Sequence, residues 1–438
     1  MNAPASVDQT VHARDAGLVR SIGPWPLAIA YVGMLLGSSV FVVPATMAAA
    51  VGPWAPLAYL ACALVIGCMT LCFAEAASRV PTSGGITGFV DHALGPFWSL
   101  QSGMLLWASL VLAAGGIAAA VADTVAEMVP ALADGPARAA VIMAMLFGLA
   151  VINAAGVGGA ARFVSAATLI KLVPLAVFLG VGLWFVTPAH LLAAPAAVAG
   201  GSDVGRAAIV GIFMFFGIES SMAVSGEVRD PARTIPRAAI AALIGYALLC
   251  IAIQLVAQGL LGAALATAKA PLADAIATVS LPLRLLLLVG AALSMFGWLA
   301  SDALSSPRIL FALARDGFLP AALGRVHPRT RAPWIASFTH AAVAIALAIS
   351  GSFAALVALS SLTALLVYLI AGVAVLRLRR DGVALAGPPL RVPGLQWLWA
   401  IGSLAILWVT AQSTREEAIG IAIYIALTTL LYRVRRSG

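Results

Sequence analysis

A run of about twenty apolar residues is the shortest α-helix that carries a chain across a bilayer, at 1.5 Å rise per residue over about 30 Å of hydrocarbon. This chain has one such run after another. On that scale the sequence predicts twelve spans, at 24–50, 55–78, 96–129, 138–154, 163–187, 206–226, 236–262, 282–311, 334–350, 353–376, 395–412 and 415–433. Backbone in lipid must satisfy its own hydrogen bonds, and a helix does this within a single segment. The expected fold is therefore an all-α polytopic membrane protein. Composition agrees, because 62% of the 438 residues are hydrophobic and only 10% are charged. A soluble domain could not hide so much apolar surface.

The charge pattern orients the spans. An even number puts both termini on one side, and a cytoplasmic placement leaves only Arg138, Arg206, Lys269, Arg284 and Arg415 outside, with the other 20 of the 25 Lys and Arg inside. That asymmetry fits the positive-inside rule and a multi-pass protein of the cytoplasmic (inner) membrane. The net charge of +8 does not point to nucleic acid, since the arginines sit between apolar runs rather than on one soluble face. Residues 1–20 read as a cytoplasmic tail without a cleavable signal pattern. Cys62, Cys68, Cys72 and Cys250 all lie inside apolar runs with no C-x-x-C pair, as small lipid-buried residues do. Glu75, Asp123, Glu127 and Asp230 fall near span ends, where solvated or loop-pairing charges are expected.

Two spans are interrupted where a helix in lipid would carry leucine and valine. The first contains GMLLGSSVFVVP, Gly33 to Pro44, and the sixth contains FFGIESSMAVSGEV, residues 215–228. If spans 1–5 (residues 21–190) and 6–10 (residues 205–380) are two repeats, the breaks at Gly37-Ser38-Ser39 and Gly217-Ile218 fall in the first helix of each. Five is an odd number, so the second repeat is inverted, and residues 390–438 add the last two spans and a short cytoplasmic tail. One Gly-Ser motif alone is the usual contact between membrane helices. Matching breaks in two inverted halves instead point to a transporter's binding site.

Unwound backbone in hydrocarbon is costly unless it lines a cavity or meets a ligand. The N–H groups of Ser38, Ser39 and Val40 begin a half-helix whose positive dipole end suits a carboxylate. Carbonyls freed at Leu35 and Leu36, and at Phe213 and Phe216, suit an ammonium group. A zwitterionic amino acid carries both charges on one carbon and is the expected partner.

The same residues resemble a known family. GMLLGSSVFVVP is similar to the first-helix signature of the amino acid–polyamine–organocation (APC) transporters, commonly G-x-x-x-G-[ST]-G-[IV]-F. EAASRVPTSGGITGFVDHALGPFW resembles their loop between spans two and three, FFGIESSMAVSGEVRDPARTIPRA their sixth helix, and SSPRILFALARDGFLP the exit of their eighth. The resemblance covers most of residues 20–330. It implies a LeuT-type fold of two inverted five-helix repeats with helices 1 and 6 broken, alternating access, and a substrate held between helices 1, 3, 6, 8 and 10. Carried over by position, the carboxylate site is Ser38 and Ser39 beside Gly37. The ammonium site is the carbonyls of Leu35, Phe213 and Phe216 beside Gly217, with Phe213 where relatives carry an aromatic lid. One departure is Ser39, which stands where the signature has its third glycine. Its Cβ restricts the backbone, and its hydroxyl adds a donor.

Buried charge suggests the coupling groups. Lys171 lies inside the fifth span, where an ionisable residue is a functional hypothesis by default. The resemblance implies that its ammonium replaces the sodium held between helices 1 and 8 in cousins of the fold, contacting the helix-1 break and Ser305 or Ser306. It would act either as a proton-coupling group or as a tether that keeps its proton. Glu219, in the sixth helix, is a candidate for structure or for coupling. Asp302, in the eighth span, would favour a cationic substrate, face a water-filled path or pair with a helix end. The third span around Ala114 offers the pocket only Ala and Gly, and Phe213, Phe216 and Trp298 add aromatic surface. A neutral amino acid is therefore expected, moved by proton symport or exchange, with a cationic amino acid or polyamine as the alternative.

Other classes find less support. The five His are scattered at 12, 92, 190, 327 and 340, and neither G-x-S-x-G nor H-E-x-x-H occurs, so no enzyme, metal or cofactor is expected. TSGGITG, residues 82–88, lacks the lysine of a phosphate-binding loop. A channel would need a continuous polar path rather than polar residues at one depth. An amino acid sensor on a transporter fold would need a signalling extension.

Overall fold

The computed structural model describes residues 23–80, 85–155, 160–193, 201–217, 228–385 and 387–437. They are overwhelmingly helical. In chain order the main helices are α1 (Pro24–Leu35), α2 (Ser39–Val51), α3 (Ala55–Arg79), α4 (Gly85–Leu94), α5 (Pro96–Met128), α6 (Gly135–Ala154), α7 (Ala160–Gly182) and α8 (Gly201–Phe213). They continue with α9 (Pro231–Leu261), α10 (Pro271–Ala277), α11 (Leu281–Ser305), α12 (Pro307–Arg315), α13 (Trp334–Ser350), α14 (Phe353–Arg380), α15 (Leu395–Thr410) and α16 (Arg415–Ser437).

Among the described residues, seven helical stretches are long and apolar enough to cross a membrane unaided: Ser39–Arg79, Pro96–Met128, Gly135–Ala154, Ala232–Thr267, Leu281–Arg315, Phe353–Arg380 and Arg415–Arg435. Shorter apolar helices cover Lys171–Phe185, Val204–Phe213, Trp334–Ser350 and Leu395–Thr410. Within the described residues of the first and sixth expected spans, α1 stops at Leu35 and α8 at Phe213.

Local chemistry explains several boundaries. Proline occupies the first turn of α1, α3, α5 and α9, where its missing N–H has no helical partner to lose. Gly95, at φ +86°, makes the sharp entry to α5. Ser352 caps α14 by accepting the Ala355 N–H, and Arg377, Arg379 and Arg380 stand in its last turn, favourable to the helix dipole.

Helix α5 is the most deeply buried of the seven and packs along α11, α13 and α14. Small residues allow that approach. A Cβ at Gly115 would lie 3.0 Å from Leu347 Cβ, and one at Gly116 would lie 3.3 Å from Leu356 Cβ. Helix α9 crosses α1 and α3, and α7 lies beside α11.

Ion pairs fasten the helix ends. At one end Arg138 pairs with Asp123 at 2.7 Å, and Arg284 pairs with Glu127 at 2.9 Å and Asp274 at 3.4 Å. At the other end Glu75 is fully buried, so it is a loop-pairing charge and not a solvated one. It accepts from Arg79 Nη2 at 2.7 Å and Nε at 3.1 Å, and from the Val392 N–H at 2.8 Å, with Arg379 Nη1 at 3.5 Å. Arg79 donates onward to the Val383 carbonyl, and Ser78 Oγ accepts the Leu390 N–H. The link between α14 and α15 is thereby tied to the end of α3.

Candidate functional site

The backbone leaves helical geometry between Leu35 and Ser39. Leu36 takes φ −73°, ψ 77°, and the Gly37 N–H closes a tight turn on the Leu35 carbonyl at 2.8 Å. Helix resumes at Ser39, with the Ser38 carbonyl accepting from Phe41 at 3.0 Å and Val42 at 3.3 Å. Among the described residues the N–H groups of Ser38, Ser39 and Val40 have no backbone partner, as the first turn of a helix dictates. The Ser38 hydroxyl is buried and also lacks a hydrogen-bond partner.

The second break meets the first. Met214, Phe215 and Phe216 continue α8 as a tighter i→i+3 turn, and the chain then swings through Gly217 at φ +125°. A Cβ on Gly217 would lie 3.2 Å from the Met34 carbonyl oxygen. Both the left-handed conformation and the close approach require glycine.

Between the breaks lies a cavity of about 50 Å³, room for a few water molecules. Of the residues singled out from the sequence, Leu35, Gly37, Ser38, Ser39, Phe213, Phe216, Gly217, Trp298, Asp302 and Ser305 line it. Trp298 leans on the first break, so a Cβ at Gly37 would lie 3.3 Å from its Cδ1. Phe213 and Phe216 meet edge to face at 6.3 Å. The α5 wall is Ser109, Leu110, Ala113 and Ile117. Ala114 is buried outside the lining, because each step along a helix turns the side chain by about 100° and moves it off the cavity face.

The break is braced from behind. Lys171 Nζ donates to the Leu36 carbonyl at 3.3 Å, Ser294 Oγ to the Gly37 carbonyl at 3.5 Å, and Ser39 Oγ lies 3.4 Å from the Tyr246 hydroxyl. The Ser305 hydroxyl bonds the Ser301 carbonyl, and Ser306 bonds Asp302, so neither is turned to Lys171. The carbonyls expected to be free are partly engaged: Leu35 accepts from Gly37, Leu36 from Lys171, and Phe213 from Phe216. Each keeps a second lone pair. Glu219 and Ile218 lie outside the described residues.

Asp302 is held by Ser306, expected instead near Lys171, and by a histidine that sequence reasoning missed. Its Oδ1 accepts from Ser306 Oγ, and its Oδ2 lies 2.9 Å from His340 Nε2 of α13. Asn153 of α6 sets the register of that meeting, donating to the Ala303 carbonyl at 2.7 Å and to Ser337 Oγ at 2.9 Å. Across the cavity, Ser360 Oγ donates to the Ser109 carbonyl at 2.7 Å. No spacing in the sequence announces these meetings between distant spans.

A small cavity thus lies where the turn after α1 meets the end of α8. The amino acid permease family model matches residues 22–431. An uncharacterised transporter of Mycobacterium tuberculosis is 32% identical over 433 residues, covering 96% of this chain and 94% of its own length. The serine/threonine exchanger of Bacillus subtilis is 29% identical over 440 residues, covering 96% and 97%. A branched-chain amino acid permease of Lactococcus lactis is 27% identical over 426 residues, covering 90% and 91%. These relatives are transporters rather than enzymes. The match takes in both breaks and nearly every helix around them, and the chain belongs to the amino acid permease family of membrane transporters.

Proposed function

We propose that this protein is a secondary active transporter that carries a neutral amino acid across the cytoplasmic membrane by alternating access, through proton symport or exchange. In this reading it has twelve spans, both termini cytoplasmic, with spans 1–5 and 6–10 as inverted LeuT-type repeats. One observation carries the proposal. At the first break the buried Ser38 hydroxyl and the N–H groups of Ser38 and Ser39, unpartnered among the described residues, belong to residues that line the cavity. Those donors suit a carboxylate at a helix N-terminus. The remaining lone pairs of the Leu35, Phe213 and Phe216 carbonyls receive the ammonium. Lys171 acts as the tether of the break, occupying the Leu36 carbonyl.

The lining favours a neutral side chain. Among the described residues it is aromatic and aliphatic with a few hydroxyls, and its one carboxylate, Asp302, is already hydrogen-bonded to Ser306 and His340. Relatives that act on serine and threonine or on branched-chain amino acids are consistent with this choice. Purified protein in liposomes tests it, with labelled serine, alanine, leucine, arginine and putrescine offered against internal unlabelled substrate. Saturable counterflow of a neutral amino acid is the expected result. Counterflow of arginine or putrescine alone would reject the neutral assignment, and binding without flux would indicate a sensor.

A further inference from the structure

Resting on that reading, we infer that Asp302 of α11 and His340 of α13 together form the proton-carrying site of the transport cycle. Both side chains are almost wholly buried, 3% and 4% exposed, and joined at 2.9 Å. Asp302 lines the substrate cavity, and His340 stands behind it.

Among the described residues the pair has one ring nitrogen that makes no hydrogen bond and can take an added proton. An ionised carboxylate only accepts hydrogen bonds, so the contact at Oδ2 fixes the proton of neutral His340 on Nε2. Oδ1 likewise accepts from the Ser306 hydroxyl. His340 Nδ1 is buried and has no hydrogen-bond partner among the described residues. A proton from water binds at Nδ1, the bond to Asp302 stays, and the pair passes from one net negative charge to none. Release returns the same proton to water on the other side.

Coupling follows from dehydration. While the cavity is open, water solvates the unprotonated pair through Asp302. When substrate enters and the cavity closes, that water leaves, and an uncompensated charge becomes expensive to bury. Closure around substrate therefore favours the proton-loaded, net-neutral pair.

No other charge described on the packed elements compensates Asp302. On α7, Lys171 donates to Leu36. On α6, Arg138 pairs with Asp123 of α5. Glu127 of α5 and Asp274 of α10 pair with Arg284, at the opposite end of α11 from Asp302. On α12, Arg308 donates to the Leu304 carbonyl and Arg315 pairs with Asp316. His340 is the only titratable residue on α13.

The test uses the full-length protein in liposomes and whichever labelled amino acid of the panel gives counterflow. An inwardly directed proton gradient should raise wild-type accumulation at least fivefold over no gradient. His340→Gln keeps a donor for Asp302 but offers no site for a proton. It should still exchange labelled for unlabelled substrate while losing the gradient response, and Asp302→Asn should lose that response too. Lys171→Met should transport more slowly yet keep it. The inference is overturned if His340→Gln accumulates like wild type, if the response vanishes in Lys171→Met and survives in His340→Gln, or if wild type exchanges with no response. Loss of counterflow in both Asp302→Asn and His340→Gln would make the pair a structural tie and overturn it as well. Absence of wild-type counterflow for every neutral amino acid would instead defeat the proposed function.

Discussion

Glu75 and Asp302 are both carboxylates removed from solvent inside helices, yet the groups around them differ in kind. Glu75 meets two guanidiniums and a backbone N–H, at the point where α3 holds the segment Val383–Val392. Arginine keeps its charge at any physiological pH, so the Glu75 cluster has one state and works as a fastener. Asp302 meets a serine hydroxyl and an imidazole, at the wall of the cavity. Imidazole has a second ring nitrogen that can take a proton, so in the proposed cycle this cluster has two states. A buried acid alone says little about function; its partner decides whether it fixes structure or carries a proton.

The sharpest way to break this contrast is to remove both acids and compare stability. Glu75→Gln strands two guanidiniums, one of them almost fully buried, and should destabilise the protein by roughly 3–5 kcal/mol. Asp302→Asn keeps hydrogen-bonding groups facing Ser306 and His340 and should lower the melting temperature in detergent much less. Equal losses would show that both clusters are fasteners.

Next in size is the contact between the two breaks. Gly217→Ala places a Cβ against the Met34 carbonyl and forces φ +125° on a residue that resists it, a strain of about 1–3 kcal/mol. Counterflow should fall at least twentyfold in protein that still purifies as a monodisperse species. Near-wild-type exchange would show that the breaks need not touch.

Ser38→Ala sharpens the binding side. The hydroxyl has no partner among the described residues, so its loss should leave the melting temperature unchanged. If it donates to the substrate, KM should rise about five- to tenfold, the worth of roughly 1 kcal/mol of hydrogen bond. A lower melting temperature with unchanged KM would assign it a structural role. The smallest effect is expected at Arg138→Gln, whose partner Asp123 is more than half exposed. Such a pair contributes at most about 1 kcal/mol, and transport should not change.

The sequence revealed these regions unevenly, for physical reasons. The breaks were legible because Gly37, Ser38 and Gly217 interrupt apolar runs, and lipid tolerates no unexplained polar backbone. Arg79 was within reach as well, since it stands four residues after Glu75 on the same helix face. His340 was not, because it lies 38 residues from Asp302 on a different helix. On α5 Ala113, and not the neighbouring Ala114 expected from the sequence, lines the cavity, because hydropathy marks a buried helix without giving its rotation. Which carbonyls a turn reclaims, as at Leu35 and Phe213, depends on dihedral angles that composition does not encode.

The most direct measurement is competition in counterflow by single-charge analogues of the transported amino acid. One analogue is the primary amine lacking the carboxylate, and the other is the carboxylic acid lacking the amine. If the paired breaks grip both charges of one α-carbon, a tenfold excess of either analogue leaves exchange intact while the unlabelled amino acid suppresses it. Suppression by either analogue to the same degree as the amino acid would contradict the account.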